Sequence, residues 1–593
     1  TVAWVMRKGR LNYRGTYARL VEPTTQDAKE ALFLSKETIS YSFQESFERI
    51  PNMPIAYWIS DGFRKLFEDG ESITNYVFSR DGLTTGKNEL FIKYFWEVGF
   101  DRIHFGSKNA EEFWRTGKRF APLIKGGLYR KWYGNNWFVI TYDKKGYEKL
   151  SQSGNRLPSR EVYFYPYMTW NRISTRMAFR YCEQGYLFES ASLIAFSKSY
   201  EDMMYALAFA NSVVAQNEMQ LINPTTNMLS GYVDSLSLPN VTKESKERCI
   251  QLAKRCVELA KEDWDESETS WDFSLHPLVS AGRIEDLYKQ WEKKCDKRFE
   301  EMKTNEQEIN SIFASANNLN NEFNCLVSDS NISVKKADRT RDIKSLISYA
   351  VGCMFGRYSI YKEGLIYAGG KWNYNDYENM AWIAEEKPEI LSFYSKTHFF
   401  PDQDNIIPIC DDEYFVDDIV HKFIEFVSVV YGTENLHENI KFIADALGGK
   451  GQPQDVIRNY FLNDFYKDHC KIYQKRPIYW LFDSGKKNGF KALIYMHRYQ
   501  PDTIARIRTD YVHEQQSRYR TAIVDLEKRI DNAAAGERVK LNKELNKLQA
   551  QAEEIRVYEE KIHHLADQMI SIDLDDGVKH NYAIFKDVLA KIK

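Results

Sequence analysis

Three short segments of the sequence carry polar and cationic side chains of the types that bind phosphates and base edges. The first, GLTTGKNE, has two glycines and offers Thr84, Thr85, Lys87 and Asn88. The second, TWNRISTRMAFRY, offers Asn171, Arg172, Ser174, Thr175 and Arg176. The third is a basic loop between two aromatic, β-prone runs, and it offers Lys486, Lys487 and Asn488. Lysines, hydroxyls and free backbone amides suit phosphates, whereas arginine pairs with guanine and asparagine with adenine in the major groove.

Each of the three segments also has an ordinary structural explanation. GLTTGKNE is typical of a β-turn, TWNRISTRMAFRY of the surface of a sheet, and the third loop of a solvated turn bounded by Gly485 and Gly489. The residues alone leave both interpretations open. For Lys486 and Lys487 a phosphate contact is the functional role that the basic surroundings favour.

Charge is distributed unevenly along a chain whose formal net charge is only −3. Residues 102–131 hold eight basic and two acidic side chains, and residues 475–520 hold ten basic and four acidic ones. Residues 376–418 hold twelve acidic and two basic side chains. Basic patches on a near-neutral chain are typical of a protein that binds a polyanion, although surface charges also cluster by chance.

Several common kinds of reaction centre are not supported. ALGGKGQPQD has glycines but lacks the Walker spacing, no GxGxxG follows a strand, and no GxSxG is present. An acidic group could hold Mg²⁺ for a nuclease, namely Asp411, Asp412, Glu413, Asp417 and Asp418. The simpler explanation is that acids precede and begin a helix, EYFVDDIVHKFIEFVSVV, whose N-terminal dipole they favour. We assign no catalytic residue and no metal ligand.

Methyl transfer to adenine requires a (Asp/Asn/Ser)-Pro-Pro-aromatic loop that stacks on the flipped base. The sequence contains no Pro-Pro pair, and it also lacks the glycine turn that cradles S-adenosylmethionine. The chain alone is therefore not expected to transfer methyl groups, and no cofactor is assigned to it.

Several long segments resemble one protein family. They are GLTTGKNELFIKYFWEV (82–98), RKWYGNNWFVITY (130–142), TWNRISTRMAFRYCEQGYLFESAS (169–192), WDESETSWDFSLHPL (264–278), SYAVGCMFGRYSIYKEGLIYAGG (348–370) and KRPIYWLFDSGKKNGFKALIYMHRY (475–499). Across essentially the whole chain, the sequence resembles the C-terminal part of the PglX family, the adenine-specific DNA methyltransferases of the BREX phage-defence system. The resemblance implies a target-recognition domain and a helical region, preceded by a catalytic half that binds S-adenosylmethionine. Whether this chain has activity of its own is left open.

The predicted fold class is α+β, with a mixed β-sheet target-recognition domain followed by a largely helical region containing an antiparallel helical hairpin. The hairpin is indicated by apolar residues at heptad spacing on both sides of the turn DNAAAGE: Tyr519, Ile523, Leu526 and Ile530, then Leu541, Leu545, Leu548, Ala552 and Ile555, with Ile562 and Met569 one and two heptads later. The predicted domains are 1–45, a remnant of the end of a catalytic domain; 46–241, the target-recognition domain; 242–470, mainly helical with the acidic stretch; 471–501, an aromatic and basic hairpin; and 502–593, the helical hairpin and C-terminal segment.

The opening TVAWVMRKGRLNYRGTYARLVEP is typical of a strand, a turn and a second strand. Such a hairpin needs something to pair against, so we expect the natural start to lie upstream. The eight cysteines are scattered without a CxxC pair, and no apolar run approaches the ~20 residues of a membrane helix. We therefore expect a cytoplasmic protein without a membrane segment.

The main functional hypothesis is the DNA-binding, target-recognition portion of an adenine-N6 methyltransferase. The partners that it implies are double-stranded DNA, the missing catalytic half and other BREX defence proteins. The alternative is a protein-interaction scaffold, in which the helical hairpin and the acidic region dock other components of the defence complex.

Overall fold

The computed structural model describes residues 3–6, 8–9, 13–152, 154–386 and 398–592. The described strands are short and form five small sheets. They are β1 Gly15–Ala18, β2 Ile39–Ser42, β3 Glu71–Ser72, β4 Phe78–Arg80, β5 Ile92–Tyr94, β6 Phe120–Ile124, β7 Phe138–Thr141, β8 Tyr167–Asn171, β9 Arg180–Cys182, β10 Leu187–Phe188, β11 Ser192–Phe196, β12 Ser237–Leu238, β13 Ile407–Pro408, β14 Tyr479–Asp483 and β15 Lys491–Tyr495.

The described helices are more extensive than the strands. They are α1 Gln26–Ser35, α2 Asp61–Asp69, α3 Asn88–Phe91, α4 Ala110–Arg115, α5 Lys144–Leu150, α6 Tyr200–Ala210, α7 Val213–Ile222, α8 Ser230–Asp234, α9 Lys243–Asp265, α10 Ile284–Ala316, α11 Arg339–Met354, α12 Asn375–Glu386, α13 Ile419–Tyr431, α14 Leu436–Leu447, α15 Pro453–Asn463, α16 Phe465–Ile472, α17 Thr503–Arg506, α18 His513–Asn532, α19 Ala535–Ala566 and α20 Gly577–Ile584. Several small, mainly antiparallel sheets beside many helices confirm the predicted α+β class.

Two four-stranded sheets occupy the predicted target-recognition segment. Their strand orders are β10-β6-β7-β5 and β4-β11-β8-β9, and every pair is antiparallel except β10 with β6. All five residues of FAPLI in β6 are buried, as expected for a strand covered on both faces. The register of β8 on β11 pairs Asn171 with Ser192, and this pairing sets the geometry of the candidate site.

The N-terminal segment differs from the sequence-based prediction. Residues 15–25 contain one strand, β1, and it pairs with β2 on the far side of α1 rather than with a neighbouring strand. The expected first strand falls partly on residues 1–2, 7 and 10–12, which lie outside the described residues, while residues 3–6 have no regular structure. A lone two-stranded ribbon is only marginally stable, so this segment depends on other contacts.

Helices α9 and α10 pack against the recognition sheets through α6 and α7. Thr242 caps α9, since its hydroxyl accepts a hydrogen bond from the Ser245 amide at 3.2 Å. The buried face of α9 repeats at helical spacing and shares one apolar core with residues 50–238. The predicted boundary at residue 241 therefore falls inside a continuous core, and the domain limits stay a prediction.

The aromatic hairpin of residues 471–501 forms β14 and β15, the paired strands of a sheet in the order β13-β15-β14. Tyr479, Trp480, Phe482 and Tyr495 are all fully buried. These rings therefore belong to the core of the helical region, as the sequence favoured, and they are not available to stack on bases.

The predicted antiparallel helical hairpin is confirmed. Helices α18 and α19 are joined by Ala533 and Ala534, within the predicted turn. Helix α17 runs into α18 through one π-helical turn, Ile507–Val512. Tyr519 and Leu526 on α18 and Leu541 and Ile555 on α19 are buried along the predicted seam. Among the described residues, no helix combines the length and the apolar character needed to cross a membrane.

Candidate nucleic-acid interface

Two of the three predicted segments meet at one edge of the recognition sheets. The turn after β10 lies between them, because Ser190 donates its amide to the Leu83 carbonyl at 2.9 Å while Ala191 accepts from the Arg172 amide at 2.9 Å. A side chain at Gly82 would place its Cβ 2.5 Å from the Glu189 carbonyl carbon, so this close approach requires glycine. Segments almost ninety residues apart in sequence are thereby held side by side.

Residues 82–88 are held by hydrogen bonds at their N-terminal end and are exposed to solvent at their C-terminal end. Thr84 exchanges two main-chain hydrogen bonds with Arg156, at 2.8 and 2.9 Å. Thr85 is fully buried, and its hydroxyl donates to the side-chain oxygen of Asn88, so it shapes the loop instead of facing a ligand. Lys87 and Asn88 are exposed at the start of α3. The side chains that remain free to meet an anion are thus Lys87 and the amide of Asn88.

The segment after β8 is largely engaged in contacts within the protein. Asn171 donates through Nδ2 to the Gly127 carbonyl at 2.8 Å and accepts from Arg180 Nη2 at 3.2 Å. The Ser174 hydroxyl donates to the Arg176 carbonyl at 2.6 Å. Both residues therefore hold the backbone in place, and their side chains are not free to read base edges in this conformation.

Arg176 and Arg172 differ in their surroundings. Arg176 donates to the Ser330 carbonyl at 3.0 Å and to Asn331 Oδ1 at 2.5 Å, and its guanidinium stacks 3.6 Å above the Tyr129 ring. Arg172 is half-buried, and its side chain makes no hydrogen bond or ion pair with the described residues. Arg172 is consequently the cation of this segment that is available to a ligand.

The structure adds a loop that sequence reasoning did not select, residues 125–129 after β6. The Gly126 amide donates to Ser192 Oγ at 2.6 Å, which places the loop beside Arg172 and the turn after β10. Burial lowers the pKa of the Lys125 ammonium, and the Glu189 carboxylate opposes that shift. A bound anion would favour the charged lysine further. The available signal was a Lys-Gly-Gly sequence directly after a buried strand, within the basic stretch 102–131.

The third predicted segment, the loop between β14 and β15, contacts a negatively charged group of the same chain. The Glu554 carboxylate of α19 accepts from the Lys487 amide at 2.8 Å, the Gly489 amide at 3.0 Å and the Ser484 hydroxyl at 2.8 Å. A Cβ at Gly489 would lie 2.7 Å from the Gln551 carbonyl oxygen, so the loop lies directly on the helix. The Lys487 and Gly489 amides of this loop are therefore already occupied by a carboxylate of the same chain.

The remaining features of the same loop face solvent. The side chains of Lys486 and Lys487 are exposed without an ion pair to any described residue, and Asn488 adopts a left-handed backbone conformation with φ of 57°. No hydrogen bond or ion pair between described residues links the loop to Lys87 or Arg172. The structure thus joins the first two predicted segments and leaves the third with the helical hairpin.

Replacing Glu554 with alanine is expected to weaken the contact between the β14–β15 loop and α19. The change leaves three donors without their acceptor, and we expect a loss of about 1–3 kcal/mol in unfolding free energy. Hydrogen exchange at the Lys487 and Gly489 amides is expected to accelerate. Glu553→Ala is the matched control, because the ion pair of Glu553 among the described residues is with Arg556, on the exposed face of the same helix. Equal exchange rates in the two variants would contradict this role of Glu554.

The acidic group of residues 411–418 also has internal partners. Asp418 caps α13 and pairs with Arg458 at 3.0 Å, so the helix begins at Ile419 rather than at Glu413 as predicted. Asp411 pairs with Lys547 at 2.5 Å and accepts from Gln551 at 2.8 Å, which ties the acidic segment to α19. Within the described part of the chain, no group of three or more His, Cys, Asp or Glu side chains is placed to hold a metal ion.

Comparisons with known proteins define the class to which this chain belongs. The chain is similar over its length to two adenine-specific methyltransferases. PglX of Lacticaseibacillus casei (strain Zhang) is 37% identical over 611 residues, which cover 98% of this chain and 49% of that protein. BrxX of Escherichia coli O9:H4 (strain HS) is 35% identical over 623 residues, which cover 100% of this chain and 49% of that protein. No protein-family model matches the chain.

The chain belongs to the PglX/BrxX family, which confirms the resemblance drawn from the sequence. It spans about half the length of the curated relatives that it matches.

Proposed function

We propose that this chain is the DNA-binding, target-recognition portion of a site-specific adenine-N6 methyltransferase of a BREX-type phage-defence system, acting in the cytoplasm. The observation that supports this most directly is that hydrogen bonds hold three segments side by side at one edge of the recognition sheets, and that these segments carry Lys87, Lys125 and Arg172. Cations free of ion pairs on a rigid edge suit a phosphate backbone, and an unpaired arginine suits guanine.

The chemistry in this proposal belongs to a catalytic half that this sequence does not contain. The sequence lacks the Pro-Pro-aromatic loop and the cofactor-binding glycine turn, and the relatives are about twice as long. S-adenosylmethionine is expected to bind in that half. The residues of this chain would bind and orient the duplex so that the target adenine reaches it.

A concentration of exposed apolar residues in and around the N-terminal ribbon supports contact with such a half. None of the side chains of α1 is buried. Exposed large apolar residues concentrate among the described residues of the first 58: Trp4, Val5, Met6, Tyr13, Val21, Phe33, Leu34, Tyr41, Phe43, Met53, Ile55 and Trp58. Such a concentration is typical of a surface that another domain or subunit covers. We assign the rest of a PglX/BrxX-type protein as its occupant.

The test is selection of bound DNA from a pool of random short duplexes at two salt concentrations, with and without the catalytic half. We expect one short adenine-containing motif, bound more weakly at high salt. The double variant Lys125→Gln/Arg172→Gln is expected to lower the slope of log affinity against log salt by about 1.8, because each phosphate contact contributes about 0.9. If Arg172 contacts a base instead, selection with Arg172→Gln relaxes the motif at one position.

Lys540→Gln/Lys543→Gln is the matched control, since it removes the same charge from exposed positions of α19 that have no described ion pair. Its salt slope is expected to stay close to that of the unmodified chain. Absence of any enriched motif when both halves are present would contradict the proposal.

A scaffold role is the second candidate, and the outer part of the helical hairpin favours it. Described residues 520–546 make hydrogen bonds and ion pairs only within the hairpin, and Val524 and Val539 are exposed there. The expected partners are other BREX defence proteins. Capture of a defined BREX component that persists at high salt, and that is lost in Val539→Glu, would support this role, whereas steeply salt-dependent duplex binding alone would favour the first.

A further inference from the structure

The edge that carries Arg172 has an apolar tip as well as cations. Two loops form this edge, residues 126–129 and 171–176, and we call them together the ridge. They are joined by the hydrogen bond from Asn171 Nδ2 to the Gly127 carbonyl at 2.8 Å and by the Arg176 guanidinium 3.6 Å above the Tyr129 ring. Leu128 lies between these two contacts on one loop, and Ile173 lies between them on the other.

Both apolar side chains of the ridge are unusually open to solvent. Leu128 is 68% exposed and Ile173 is 74% exposed. An isolated surface leucine needs no explanation, but two large apolar side chains exposed on adjoining loops would both be stabilised by burial. Something that the ridge contacts is therefore expected to cover them.

The backbone under each tip is fixed. Ile173 forms a β-bridge with Asn227, and the Met228 amide donates to the Arg172 carbonyl at 2.7 Å. The Leu128 carbonyl accepts from Asn135 Nδ2 at 2.9 Å. These bonds fix the backbone of both loops, so the ridge is preorganised at the positions that carry the two exposed side chains.

The charges around the tips indicate the occupant. Lys125 precedes Leu128 by three residues, Arg172 directly precedes Ile173, and neither cation has an ion pair with a described carboxylate. An apolar protein groove would leave these cations unsatisfied, whereas duplex DNA offers phosphates on both sides of an apolar base stack. Proteins that grip DNA by its backbone commonly insert leucine or isoleucine between base pairs in this way.

We propose that Leu128 and Ile173 form an apolar wedge that inserts at one base-pair step of duplex DNA, while Lys125 and Arg172 bind the flanking phosphates. This inference rests on the proposed function, which supplies the duplex. The wedge would partly unstack its step, and specificity would then depend on how readily the sequence at that step deforms. Pyrimidine–purine steps, which unstack most easily, are the expected targets.

The experiment places 2-aminopurine at successive positions of the selected duplex, away from the target adenine. The protein is this chain, together with the catalytic half if binding requires it. We expect fluorescence to rise on binding at one step only. In Leu128→Ser/Ile173→Ser the rise is expected to disappear and affinity for the motif to fall about tenfold, with the salt slope unchanged. Val539→Ser is the matched control, because Val539 is also 74% exposed and lies on the distant hairpin.

The results of this experiment distinguish a failure of the wedge proposal from a failure of the proposed DNA-binding function. Salt-dependent, motif-specific binding without a fluorescence rise at any step would overturn the wedge and leave the recognition role intact. A rise that persists in the double serine variant would overturn it as well, because other residues would then cause the unstacking. Absence of DNA binding under all conditions would overturn both proposals together.

Discussion

Replacing Asp263 with alanine is expected to lower the unfolding free energy by about 3 kcal/mol, because it leaves the buried Arg130 guanidinium without a described carboxylate and leaves Arg298 with Glu266 alone. Asp263 lies at the end of α9 and is only 4% exposed. It pairs with Arg130 at 2.7 Å and with Arg298 at 3.3 Å. Burial would raise the pKa of this carboxyl, but Arg130, Lys335 and Arg298 together hold it below its ordinary value. The carboxylate thus joins the recognition sheets to α10.

Denaturant unfolding followed by tryptophan fluorescence measures this effect. Asp263→Asn is the milder companion, since it keeps the shape of the side chain and part of its hydrogen bonding. The control is Asp272→Ala, which removes an exposed carboxylate 3.4 Å from Lys261, and we expect it to change stability by less than about 1 kcal/mol. Equal effects of Asp263→Ala and Asp272→Ala would show that the buried charge cluster does not stabilise this junction.

Acidification from pH 7 to pH 4.5 is expected to destabilise the protein through three buried histidines. Burial lowers the pKa of His276 to about 3, and burial together with the charge of Arg357 lowers the pKa of His469 and His497 to about 3. The unfolded chain takes up protons near pH 6.5, where the folded histidines stay neutral. The stabilisation is therefore complete above pH 6.5 and is lost as pH falls toward 3, at about 1.4 kcal/mol per histidine and pH unit.

The hydrogen bonds of His469 disfavour its protonation. Its Nε2 accepts hydrogen bonds from the amides of Ile478 at 3.1 Å and Tyr479 at 3.0 Å, at the start of β14. A proton on that nitrogen would turn an acceptor into a donor facing two donors. Acid is consequently expected to disrupt the edge of the β13-β15-β14 sheet early.

Glu268 works in the opposite direction and limits the net effect. Burial raises the pKa of this carboxyl to about 7, against hydrogen bonds from Tyr473 at 2.9 Å and Ser348 at 3.1 Å. Its folded pKa lies above its unfolded value, so the folded state gains stability as pH falls from 7 toward 4.5. In Glu268→Gln this compensation is removed, and the loss of stability on acidification is expected to become steeper.

Urea unfolding at pH 7.5, 6 and 5 tests these signs. His469→Gln is expected to be less stable at neutral pH but to have a shallower pH dependence, because one of the three buried groups is gone. His580→Gln, at an exposed position of α20, is the control and is expected to match the unmodified chain. A pH dependence of stability in His469→Gln as steep as that of the unmodified chain would contradict the role of this buried histidine.

The local sequence pattern was sufficient to predict some elements, because the formation of a helix or a hairpin depends mainly on residues that are close in sequence. The heptad spacing of Tyr519, Leu526, Leu541 and Ile555 predicted the helical hairpin, and two aromatic, β-prone runs predicted β14 and β15. The N-terminal hairpin was predicted wrongly, because β1 pairs with β2 across a helix. Propensity shows that a residue prefers an extended backbone, but it does not show which strand it will pair with.

The sequence by itself determined the family, the α+β class, the absence of a Pro-Pro-aromatic loop and the positions of the basic segments. Only the tertiary structure decided which polar side chains of these segments lack internal partners and can therefore contact a ligand. It joined residues 82–88 to residues 171–176 through the turn after β10, engaged Asn171 and Arg176 internally, and added Lys125. It also placed Glu554 against the β14–β15 loop. The physical reason is that a hydrogen bond or ion pair forms only within a few ångströms, and packing between residues far apart in sequence decides which groups come that close.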